Sequence, residues 1–162
     1  MSEEAAPAWH VADWGPLGWT ETVLKTVGAG VGVAALLTAL DRPADGASGA
    51  RLVEVVLLGV LCVALLAGIA DRFAQREVVG MVFILVMNAG HLAMAVALGR
   101  DPDVGGYLIA FCALMLAGDL VKLAFLARSG FTVRSVPRAA VFGLTGAFAL
   151  VYAALIVIEL AA

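Results

Sequence analysis

The chain has 162 residues, of which 63% are hydrophobic and 14% charged, and its mean hydropathy is +1.03. Soluble domains run at about 45–50% apolar, so this composition excludes an ordinary one. A net charge of −3 with no basic cluster gives no basis for a nucleic-acid partner.

Residues 1–22 are polar and aromatic, and hold all three tryptophans: Trp9, Trp14 and Trp19. Indole rings favour the headgroup layer. Gly15 and Pro16 argue against one continuous helix, so this segment is expected to lie on the membrane surface. Its start, Met1-Ser2-Glu3-Glu4, is acidic where a cleavable signal would be basic.

Five apolar blocks follow, at about 23–40, 52–70, 78–98, 104–126 and 139–160. A helix needs ~20 mainly apolar residues to cross ~30 Å of hydrocarbon. Only helices and closed barrels satisfy their backbone in lipid, and the blocks lack the alternation of barrel strands. The fold class is therefore all-α, an integral membrane helical bundle. Four transmembrane helices are clear. The first is shorter and carries Lys25 near its start. Residues 23–162 are expected to form one transmembrane domain, because no linker divides them.

The connections are short: a turn-rich loop at 41–51, a charged turn at 71–77, a hairpin at Arg100-Asp101-Pro102-Asp103, and a basic loop at 128–138. With five spans, one side receives Lys25, Arg72, Arg76, Lys122, Arg128, Arg134 and Arg138. The other receives Arg42, Arg51 and Arg100. The excess predicts a cell-membrane protein with cytoplasmic basic loops and a cytoplasmic N-terminus.

Small residues mark expected helix contacts. Gly28 and Gly32 lie four apart in the first block. Ala89 and Ala93 do so in the third. Gly106, Ala110, Ala113 and Ala117 line one face of the fourth. Small side chains let helices approach closely in lipid, within one chain or between subunits. A weak echo runs from the third block to the fourth: Phe83, Met87, Gly90 and Arg100 recur as Phe111, Met115, Gly118 and Arg128.

Polar residues inside the blocks are few. Asn88 and His91 share a face of the third helix, and Asp119 and Lys122 share one of the fourth. Asp119 lies too deep for its short side chain to reach water, so it needs a partner, a proton or a wet cavity. Lys122 and Asn88 are the expected neighbours. These residues read either as hydrogen-bonded glue or as a proton or ion pathway. Cys62 and Cys112 read as packing residues. Arg51 and Glu54 read as an interfacial pair, and Glu159 as reaching water.

The sequence holds no catalytic or metal-ligand motif, and no Ser lies within the apolar blocks. A third reading makes His91 an axial ligand for haem or chlorophyll, but with one intramembrane His a bis-His haem within the chain is implausible, and no cofactor is expected. Two functions fit. One is a small ion or proton channel or transporter, oligomeric in the bilayer. The other is a non-catalytic accessory or assembly subunit of a larger membrane complex.

Overall fold

The computed structural model describes residues 15–44, 49–74, 78–129 and 137–161. Trp9, Trp14 and His10 lie outside that set, as do Arg76 and Arg134 of the basic loops. The described residues form five long helices: α1 Pro16–Leu40, α2 Ala50–Ala74, α3 Val78–Arg100, α4 Gly105–Ser129 and α5 Arg138–Ala161. A short 3-10 turn, Pro102–Val104, joins α3 to α4. All five helices are long and apolar enough to cross a membrane, and the chain is a multi-pass helical membrane protein.

The first helix is longer than its apolar run implies. It starts at Pro16, not at 23, and reaches 25 residues. Proline suits a first helical position, because its fixed φ is already helical and its missing N–H has no partner to lose. Gly15 precedes it in an extended conformation. The polar residues then satisfy themselves locally. The Thr20 hydroxyl donates to the Pro16 carbonyl at 2.8 Å, and that of Thr22 to the Gly18 carbonyl at 2.9 Å. Part of the segment expected at the membrane surface is thus the first turns of α1.

The helices run alternately up and down and form a ring. α1 is wedged between α3 and α4, α2 packs on α3, and α5 packs on α4. A lighter contact between α2 and α5 closes the circle. Leu58, Met94, Leu108, Phe111, Met115, Tyr152 and Leu155 fill the inside and are fully or almost fully buried. Valines and leucines such as Val27, Val63, Leu92, Leu120 and Leu150 face outward, as lipid contact requires.

Glycines set the tightest crossing. Gly32 of α1 and Gly90 of α3 meet backbone to backbone, and a Cβ on Gly90 would lie 2.5 Å from the Ala29 Cα. Gly28 seats α1 against Leu114 and Met115 of α4. Ala93 is buried. The rest of the expected small-residue contacts are placed differently. Ala89, Gly106, Ala110 and Ala113 are exposed and Ala117 is half-buried. The reason is volume: the inside of a five-helix ring must be filled, so α4 turns Leu108, Phe111, Cys112 and Met115 inward and leaves its small face outside.

Candidate functional site

The buried polar side chains fall along the inside of the ring, in three groups. The first lies nearest the end where α1 begins and α4 finishes. Lys25 Nζ donates to Glu21 Oε1 at 2.7 Å and sits 2.7 Å from Asp119 Oδ1. Lys25 and Asp119 are each 4% exposed, so this ion pair is desolvated. Glu21 and Lys25 meet because they are four apart on one helix face. The lysine stem crosses to α4 over Gly118, where a Cβ would lie 2.7 Å from Lys25 Cγ. Asp119 Oδ2 is buried without a hydrogen-bond partner among the described residues.

This differs from the pairing expected from sequence. Asp119 takes its cation from α1, not from Lys122 one turn away. Lys122 is half-buried and still acts on Asp119 electrostatically. Asn88 does not reach Asp119, because α1 stands between α3 and α4. Its amide turns to α2 and donates to the Cys62 carbonyl at 2.8 Å.

The middle group joins α3 to α5. His91 Nδ1 lies 2.7 Å from the Met87 carbonyl, and Nε2 lies 2.6 Å from the Tyr152 hydroxyl. A carbonyl only accepts, so Nδ1 carries the proton. In neutral His91, Nε2 is then an acceptor and Tyr152 donates to it. Phe111 of α4 packs edge-on against the imidazole, centroid to centroid 4.9 Å. Both ring nitrogens are engaged in hydrogen bonds.

The third group lies toward the opposite end. Arg51 Nη1 donates to Glu54 Oε2 at 2.9 Å and also to Glu159 Oε2 of α5, while Nη2 donates to Glu159 Oε1 at 3.1 Å. Glu54 has no exposed surface, and its Oε1 has no partner among the described residues. The Arg51–Glu54 pair expected at the helix end is present, with Glu54 buried in protein, and Glu159 joins the same clamp. Beyond it, outside the ring interior, Arg42 ties the end of α1 to Asp101 at 2.9 Å.

Counted at ~1.5 Å per residue, Asp119 lies seven residues, about two turns, from Cys112 on α4, His91 and Tyr152 pack on Phe111 beside Cys112, and Tyr152 lies a further seven residues from Glu159 on α5. Cys112 is fully buried beside the middle group. The row thus runs from a carboxylate through an imidazole–phenol pair to a second carboxylate. Sequence reading missed Glu21, Tyr152 and Gly118, and undervalued Lys25, Glu54 and Glu159. The available signal was depth. Lys25 lies nine residues from the Pro16 end of α1 and Asp119 ten from the Ser129 end of α4, at the same side of the bundle.

Two shallow apolar grooves mark the outer surface, one between α4 and α5 at Leu120, Gly146 and Leu150, the other on α2 at Val56, Gly59 and Val63. Among the described residues, no group of three or more His, Cys, Asp or Glu could hold one metal ion. Comparison with family models, with curated proteins and with solved structures found no match.

Proposed function

We propose that this protein conducts protons across the bilayer along the axis of its helix ring. The observation that carries this reading is the row of buried titratable side chains from Asp119 through His91–Tyr152 to Glu54. The cations Lys25 and Arg51 offset the cost of these carboxylates, but each cluster keeps one buried carboxylate oxygen without a partner among the described residues, Asp119 Oδ2 and Glu54 Oε1, where a proton can bind. The Tyr152–His91 pair suits transfer: the hydroxyl gives its proton to Nε2 and takes one from water on the Asp119 side, and the imidazolium then releases the Nε2 proton to water on the Glu54 side and is neutral again, Nδ1 keeping its own proton on the Met87 carbonyl. The three groups are not in direct contact, so transfer between them passes through water that enters the axis. The grooves on the surface are apolar and outside the row, which favours a proton over a bulky solute.

Asp119→Asn is the variant that tests it. In the native chain Lys25 also has Glu21 at 2.7 Å, a second anion that offsets the loss of Asp119, so the variant removes the titratable group while its folding is checked by melting temperature. In liposomes with a trapped pH-sensitive dye, the wild type dissipates a pH gradient and Asp119→Asn does not. A wild type with no flux, or a variant that conducts equally, overturns the reading.

The excess of Lys and Arg on the side of Lys25 and Arg128 favours a cytoplasmic location for that side, in a cell membrane. A cysteine introduced at Ser129 is then protected from an impermeant reagent added outside intact cells.

A second reading, an accessory subunit of a larger membrane complex, is favoured by one observation. The small face of α4, Gly106, Ala110 and Ala113, points outward, where it suits a helix of another chain, including a second copy. The oligomeric state of the purified chain separates a self-contained assembly from a subunit that needs other proteins.

A further inference from the structure

We infer that Arg51 is the filter that keeps metal cations out of this axis while protons pass. The inference rests on the proton-conducting reading and specifies its selectivity. A guanidinium stays ionised and offers a planar fork of donors. Here the fork is filled from two helices: Glu54 on its own helix α2 and Glu159 on α5. The clamp therefore lies across the α2–α5 seam, the lightest contact in the ring. It is largely buried, with the Arg51 side chain 17% exposed and that of Glu54 0%.

One guanidinium against two carboxylates leaves the clamp with no net positive charge, so what a Na⁺ or K⁺ ion lacks at this end is ligands. The carboxylate oxygens that would replace its hydration shell are mostly occupied: Arg51 holds both oxygens of Glu159 and one of Glu54. The ligands that can replace a hydration shell set ion selectivity in narrow pores. A proton needs neither the space nor a shell. It binds at Glu54 Oε1, the oxygen that Arg51 leaves free, forming an O–H bond. It then passes to water admitted at the partly exposed Arg51–Glu159 side of the clamp, restoring the carboxylate. Gly105 of α4 completes the filter, because a Cβ there would lie 2.9 Å from Arg51 Nη2 and 2.5 Å from the Glu159 carboxyl carbon. Only a residue without a side chain lets the clamp sit against α4.

The test uses the full chain in liposomes, with H⁺ flux and K⁺ flux read separately by dyes. The wild type passes H⁺ and holds K⁺ back. Arg51→Gln, which leaves two carboxylates without their cation, raises K⁺ permeation by at least about tenfold. Gly105→Ala displaces the clamp without removing any charge, so it also leaks K⁺ and remains informative where Arg51→Gln does not fold. A folded Arg51→Gln that is as tight to K⁺ as the wild type overturns the filter, and so does a wild type that passes K⁺ as readily as H⁺. Where Arg51→Gln does not fold, a K⁺-tight Gly105→Ala does the same. In each of these cases H⁺ conduction stands. A wild type with no H⁺ flux overturns both inferences.

Discussion

Lys25→Met is the perturbation that separates a desolvated ion pair from a decorative one. In the native chain the ammonium group lies 2.7 Å from carboxylate oxygens on both sides, Glu21 and Asp119. Methionine matches the length of the stem and keeps its packing over Gly118, so volume is nearly conserved. What is lost is the cation. Removing one partner of a buried pair typically costs about 3–5 kcal/mol, because the other is left charged and unpaired. Lys122 also acts on Asp119 and trims the loss toward about 3 kcal/mol. The double variant Lys25→Met/Asp119→Asn removes the stranded charge and should recover at least about half of that loss. Lys122→Met, the variant that the sequence alone would have chosen, should cost less than Lys25→Met. Unfolding in mixed micelles, followed by circular dichroism, gives the stabilities of the wild type, Lys25→Met, Asp119→Asn, the double variant and Lys122→Met. If the two single losses add in the double variant to within about 0.5 kcal/mol, Lys25 and Asp119 are not coupled and the reasoning fails.

Three further outcomes follow from other contacts. Gly90→Ala should destabilise by about 1–3 kcal/mol through overpacking against Ala29, while Gly30→Ala, where an added Cβ meets nothing within 4 Å, should be neutral or stabilising; the same unfolding assay compares them. Tyr152→Phe removes the donor to His91 Nε2. It should cost about 1–3 kcal/mol for the buried nitrogen left unpaired and should slow H⁺ flux in liposomes; a folded variant with wild-type flux places the hydroxyl outside the path. Ala113→Leu should leave the stability of the single chain unchanged, because Ala113 is exposed, yet weaken any association through that face, which light scattering in detergent reads directly.

The bundle was legible in the sequence because its determinant is local. Twenty-odd apolar residues in a row specify a membrane-crossing helix without reference to any neighbour. Both differences at the level of elements arose where a local rule met a tertiary demand. The start of α1 looked too polar to be helical in lipid, yet Thr20, Thr22 and the Glu21–Lys25 pair satisfy themselves against their own helix. The small face of α4 looked like a contact, yet in a ring the inside needs bulk. Small residues identify a face that could pack closely. They do not say whether the partner is in the same chain.

The site was half legible, and for a different reason. Asp119, His91 and Asn88 stand out in any reading because polar groups in lipid are rare. Their partners depend on which helices are neighbours, and hydropathy carries no information about that. Asp119 was matched with Lys122 because the two share a helix face, and with Asn88 because the two share a depth. The ring order breaks the second match by placing α1 between α3 and α4, and it brings forward Lys25 at the same depth. Lys25 had counted against the first span, as a charge in a short apolar run. With Asp119 opposite it the sign of that argument reverses. A lysine and an aspartate placed at matching depth on two helices are each costly alone and tolerable together, so each explains the presence of the other. The same holds at the far end for Arg51, Glu54 and Glu159, contributed by α2 and α5. In a chain with so few charges in its spans, matching cations and anions by depth is a constraint on helix neighbours. Applied here, it pairs α1 with α4 and α2 with α5, two of the contacts that make the ring.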